Sequence, residues 1–142
     1  MTTPTDAQLS AIAVAFETFA RRFKMAEALS TGQQLNEVDK QTLFYVSDHP
    51  GCGPTDVARF LAVPATTLTS VADRLVRKKL LERGRAEADR RAVALSVSGT
   101  GKEQVDALKA AHQDMYRKML EPLSLNEQNV IVEIITKIAQ NQ

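Results

Sequence analysis

The sequence predicts a mainly α-helical chain with one small β-hairpin. Three observations predict it. Apolar residues recur at steps of three and four along most of the 142 residues, the period of helices that bury one face. The period switches once, to strict alternation at Val93, Leu95 and Val97, the mark of a half-buried strand. Between the periodic stretches lie capping and breaking residues that cut the chain into elements of ordinary length.

The first stripe is Leu9, Ile12, Ala13, Phe16, Phe19, Ala20 and Phe23, capped by Thr5 or Asp6 and stopped by Gly32. A second helix starts at Asn36, with Asp39 three residues on, and ends before the His49-Pro50-Gly51 turn. Gly53 and Pro54 read as the cap and first position of a third helix, Pro54–Leu61. Pro64 separates it from a fourth, residues 65–79. Two short strands follow, 80–83 and 92–97, with the polar stretch 84–91 as the tip between them. Ser98 and Thr100 restart a helix, Thr100 pairing with Glu103 in a capping box. Its stripe is Val105, Leu108, His112, Met115 and Met119, and Pro122 closes it. Ser124 and Glu127 make another capping box and open a last helix striped by Ile131, Ile134, Ile135 and Ile138.

The length suits one domain. Hydrophobic residues at 44% and charged residues at 25% are the balance of a soluble globular chain. No apolar run approaches a membrane span, since the longest candidate, residues 11–16, is stopped by Glu17. A secretory signal is not expected either, because no basic segment precedes that run. The single cysteine, Cys52, excludes an internal disulfide and a multi-cysteine zinc site. His49 and His112 lack the partners of a metal or catalytic cluster. These counts predict a cytoplasmic binding protein without cofactor or metal, and not an enzyme.

Charge is unevenly placed. Residues 54–101 hold nine Lys/Arg against five Asp/Glu, whereas the rest hold nine against twelve. A basic middle between acidic flanks suits a polyanion. Two short helices with a tight connection, then a hairpin with a basic tip, define a winged helix-turn-helix. A helix fits the DNA major groove and a hairpin beside it reaches the minor groove. In the fourth helix Leu68, Val71, Leu75 and Val76 face the core, which leaves Thr66, Thr67, Thr69, Ser70, Asp73 and Arg74 nearer the groove. Asp73 either pairs with Arg74 on the helix surface or ties the helix to the wing, and the tie is preferred.

Residues 75–83, LVRKKLLER, and above all 89–101, DRRAVALSVSGTG, resemble the multiple antibiotic resistance regulator (MarR) family of winged-helix repressors. The second stretch is similar to that family's wing signature: Asp-x-Arg at the tip, alternating aliphatics, then Ser/Thr-x-x-Gly opening a helix. Residues 35–101 follow the family pattern without a gap. The resemblance implies a homodimer that binds double-stranded DNA at a pseudo-palindromic operator. It divides the chain into an N-terminal dimerisation helix (1–34), the winged region (35–98) and C-terminal dimerisation helices (99–142). It implies DNA contacts at Pro54, Thr55, Thr66, Thr67, Thr69, Ser70, Arg74, Arg85, Asp89, Arg90 and Arg91. Among these, Arg90 is the better minor-groove candidate, with Asp89 orienting an arginine and Arg91 serving as a brace. Dimerisation falls to Leu9, Ile12, Phe16, Met115, Met119, Ile131, Ile134, Ile135 and Ile138. Many members respond to small aromatic or phenolic ligands, for which Phe16, Phe19, Phe44 and Tyr45 are the available pocket lining.

The departures from the family pattern carry expectations of their own. Lys79 stands where glycine is frequent and is expected to adopt a left-handed conformation. Pro64-Ala65 weakens the cap of the recognition helix, Ser70 replaces a longer polar side chain, and 86–88 lack the usual prolines. Cys52 lies outside the first helix, where the oxidant-sensing branch carries its reactive cysteine, so an inert thiol is expected. The alternative to a DNA reader is a winged-helix interaction module or antirepressor that has lost DNA binding.

Overall fold

The computed structural model describes residues 2–25, 34–85 and 92–141. Helix α1 (Asp6–Phe19) starts at Thr5, whose hydroxyl accepts the Gln8 N–H at 3.2 Å while the Gln8 side chain accepts the Thr5 N–H at 2.9 Å. This reciprocal pair satisfies donors that a helix start leaves open. The helix continues into a π-helical turn, Ala20–Lys24, where the rings of Phe19 and Phe23 lie 4.9 Å apart. The expected stop at Gly32 lies outside the described residues. Helix α2 (Glu37–Asp48) has the expected Asn36–Asp39 capping box, and α3 (Pro54–Leu61) has proline at its first position, with the Asp56 carboxylate accepting the Gly53 N–H at 2.9 Å. Helix α4 (Ala65–Arg77), strands β1 (Leu81–Arg85) and β2 (Val93–Val97), and helices α5 (Gly99–Leu120) and α6 (Leu125–Gln140) complete the order.

The chain forms two compact units, Ala28–Lys109 and a terminal unit of Met1–Glu27 with Ala110–Gln142. The winged unit therefore runs past residue 98. The reason is that the first turns of α5 bury Gly101, Gln104, Val105 and Leu108. Its core joins Leu43 and Val46 of α2, Val57 of α3, Leu68, Val71 and Leu75 of α4, and Leu80, Leu81 and Leu95 of the hairpin region. Each such side chain contributes roughly 1.5–3 kcal/mol.

Strands β1 and β2 pair antiparallel from Leu81↔Val97 to Arg85↔Val93, so that β1 both starts and ends later than the apolar pattern suggests. An isolated antiparallel bridge between Cys52 and Leu95 adds to β2. The Gly51 N–H donates to the Leu95 carbonyl at 2.8 Å, and the Leu95 N–H donates to the Cys52 carbonyl at 2.7 Å.

The start of α5 differs from the expected Thr100–Glu103 box, since Thr100 already lies inside the helix. Ser98 is the cap: its hydroxyl accepts the Gly101 N–H at 2.9 Å and donates to the Lys79 carbonyl at 2.6 Å. Helix α6 starts at the expected Ser124–Glu127 box, whose hydrogen bonds hold the Glu127 carboxyl below its ordinary pKa.

Lys79 has φ 63°, as expected, and Ala62 at the end of α3 has φ 54°. A side chain makes the left-handed conformation costly, and glycine removes that cost. Lys79→Gly and Ala62→Gly are each expected to stabilise the fold by about 0.5–1 kcal/mol in urea denaturation.

Candidate nucleic-acid interface

Helix α4 is split lengthwise. Leu68, Val71, Ala72 and Leu75 are buried, whereas Thr66, Thr67, Thr69 and Ser70 are exposed on the first turns. The Thr69 hydroxyl donates to the Ala65 carbonyl at 2.9 Å and that of Ser70 to the Thr66 carbonyl at 3.2 Å. With their protons committed to the helix backbone, both oxygens face an approaching ligand as acceptors. That chemistry matches the amino groups of adenine and cytosine better than a phosphate oxygen. Pro64 offers no side-chain cap, as its sequence position predicts.

Polar ties hold the other half of α4. Asp73 pairs with Arg83 of β1, which is the expected tie between helix and wing. Both side chains are roughly half exposed, so the pair orients more than it stabilises. Arg74, expected at the groove, is also tied within the winged unit. Its guanidinium is committed to Asp39 of α2, whose side chain is only 3% exposed. Lys78 Nζ donates to the Gln34 carbonyl at 3.0 Å. The sequence alone does not single out Asp39, Arg83 or Lys78 for these duties. A signal for Asp39 exists, because it falls on the same helix face as Thr42, Leu43 and Val46, all buried, and an acid on such a face needs a basic partner.

Of the remaining expected contacts, Thr55 and Arg85 are exposed and Pro54 is half-buried. Asp89, Arg90 and Arg91 lie outside the described residues. The exposed hydroxyl face beside an antiparallel hairpin is a winged helix-turn-helix. Residues 33–92 match the MarR family model. Over this stretch, the winged domain, the chain is similar to the MarR family.

The uncharacterized HTH-type transcriptional regulator YwhA of Bacillus subtilis (strain 168) is 23% identical over 122 residues, which span 86% of this chain and 88% of YwhA. Among solved structures, Streptococcus pneumoniae FabT in complex with DNA is similar at TM-score 0.80 and 24% identity, covering 93% of this chain and 94% of FabT. A probable transcriptional regulator from Pseudomonas aeruginosa is similar at TM-score 0.69 and 25% identity, covering 89% of this chain and 96% of its own. These likenesses establish the MarR-type winged fold.

The terminal unit presents a second candidate surface. No residue of α1 or α6 is fully buried. Leu9, Ile12, Phe16, Ile134, Ile135 and Ile138 are exposed, and Met115, Met119 and Ile131 are half-buried. Within this unit an apolar cleft of about 650 Å³ is lined by α1, the second half of α5, and α6, including Phe16, Phe19, Met119 and Ile135. The four residues expected to line a pocket divide between the two units. Phe16 and Phe19 line the cleft, but Phe44 and Tyr45 pack against the winged core instead. Tyr45 stacks on His49 at 4.2 Å and meets Phe60 at 4.8 Å.

Burial, and then the nearby Asp56 carboxylate, push the Cys52 thiol above its ordinary pKa. That disfavours the thiolate an oxidant sensor needs. Among the described residues no group of three or more His, Cys, Asp or Glu is placed to hold a metal, and no helix is long and apolar enough to cross a membrane.

Proposed function

We propose that this protein is a MarR-family, sequence-specific, double-stranded DNA-binding homodimer of the cytoplasm that represses transcription by occupying a pseudo-palindromic operator. The observation that carries this is the division of α4, with its aliphatic side in the core and Thr66, Thr67, Thr69 and Ser70 outward beside the hairpin. The solved complex of FabT with DNA supports the same reading. The apolar faces of α1 and α6 support a second copy as partner, since monomers rarely leave contiguous apolar patches this large in water. Two such domains enter successive major grooves about 34 Å apart. Arg90 supplies the minor-groove contact, with Asp89 and Arg91 in support. A small aromatic or phenolic effector releases DNA by favouring a dimer whose α4 spacing misses that repeat, and about 1.4 kcal/mol of coupling gives a tenfold release.

The test is gel shift against duplex from the protein's own upstream region, from about 50 to 200 mM salt. A specific shift that weakens steeply with salt is expected. Arg90→Ala should lower affinity and flatten the salt slope by about one for each phosphate that is no longer neutralised. No specific shift, together with a flat salt response, excludes this function. A protein that shifts DNA no better than its Arg90→Ala variant fits the interaction module instead.

A further inference from the structure

We propose that Asp39 is a positioning residue for base reading: through Arg74 it sets the rotation at which the exposed half of α4 meets DNA, although its own side chain is buried. This inference rests on the DNA-reading function above. A carboxylate on a side chain only 3% exposed needs partners on both oxygens. One accepts the Asn36 N–H at 3.1 Å, and the other accepts from the Arg74 guanidinium. One turn along, Lys78 Nζ donates to the Gln34 carbonyl at 3.0 Å. The start of α2 and the last turns of α4 are therefore stapled twice, by contacts between residues far apart in sequence.

Geometry turns these staples into an orienting device. Asp73 and Arg74 leave the helix axis about 100° apart. Asp73 is held by Arg83 of β1, and Arg74 by Asp39 of α2. The buried side of α4 sets its coarse rotation, and two polar ties from different sides trim what that packing leaves. Rotation matters because Thr66, Thr67, Thr69 and Ser70 make direction-dependent hydrogen bonds that weaken steeply off-axis. Arg74 is thereby a positioning residue too.

Electrostatics gives the test its sign. Removing an acid from a DNA-binding protein strengthens attraction to phosphate, so Asp39→Asn weakens binding only by disturbing geometry. A duplex is enriched by the wild type from a randomised pool, and anisotropy titrations compare it with a scrambled duplex over the same salt range. Asp39→Asn and Arg74→Lys are expected to lose about tenfold or more on the enriched duplex, the scale of one misplaced base contact. Affinity for the scrambled duplex should not fall, and its salt slope should not change. A variant that loses thermal stability but keeps the wild-type ratio of enriched to scrambled affinity overturns the proposal. If Asp39→Asn does not fold, Arg74→Lys decides, because it keeps the charge and loses only the planar fork. A wild type that enriches no sequence defeats the DNA-reading function itself, and this inference with it.

Discussion

Gly101→Ala is expected to destabilise the winged unit by about 3 kcal/mol and to lower its melting temperature by roughly 12–24 °C. A Cβ built at Gly101 would lie 2.0 Å from the Leu80 carbonyl oxygen. The obstacle is backbone, and it is held from several sides. The Leu80 carbonyl accepts the Ser98 N–H at 3.1 Å, and the Leu80 N–H donates to the Leu75 carbonyl at 2.9 Å. The Leu80 side chain is fully buried. The adjoining Lys79 carbonyl accepts the Ser98 hydroxyl, the same group that caps α5. Retreat of the Leu80 peptide would therefore loosen the link between α4 and β1 together with the start of α5. Gly99→Ala is the control, because a Cβ there meets nothing within 4 Å. It should be neutral or slightly stabilising. Chemical denaturation of both variants checks the pair, and equal stabilities would mean that the close approach does not constrain the fold.

The physics that makes much of this architecture readable is local. Apolar period and capping chemistry act within a few residues, so the starts at Thr5, Asn36, Pro54 and Ser124 follow from short stretches. So does the exposed hydroxyl face of α4, because Leu68, Val71 and Leu75 must point inward once the stretch is a helix. Distant contacts set what the sequence hides. The Asp39–Arg74 pair spans 35 positions, and nothing near Arg74 separates a brace from a groove contact. The Cys52–Leu95 bridge is too short to show alternation. Thr100 and Ser98 are both good caps by type, and Ser98 serves because its hydroxyl also reaches the Lys79 carbonyl. Phe16, Phe19, Phe44 and Tyr45 all sit on apolar stripes, and a stripe does not say which core it joins. Ala62 carries no cue for its left-handed turn, whereas the missing glycine at Lys79 does.

Replacing Ile135 by Asp is expected to convert the proposed dimer into a monomer at micromolar concentration and to weaken operator binding at least a thousandfold. Ile135 lines the apolar cleft of the terminal unit and is 49% exposed in the single chain. Aspartate is therefore tolerable in a lone protomer but not beneath a partner. Closing an interface over it buries a carboxylate with no designed partner, at a cost of several kcal/mol. Twofold symmetry presents the same fault from both copies. A thousandfold change in association needs only about 4 kcal/mol, which two such faults exceed. Loss of DNA affinity follows because one winged domain addresses one half-site, and the energy of joining two in a single particle disappears. Gln140→Asp is the control, because it places the same charge on the polar side of α6 with Glu133 and Lys137 and should leave the assembly intact. Sedimentation velocity and gel shift on the two variants check the expectation. If the Ile135→Asp chain unfolds when it separates, circular dichroism will show lost helix, and the dependence on a partner is then stronger. A folded dimer that retains aspartate at this position would place the subunit interface elsewhere and leave the apolar faces of α1 and α6 needing another explanation.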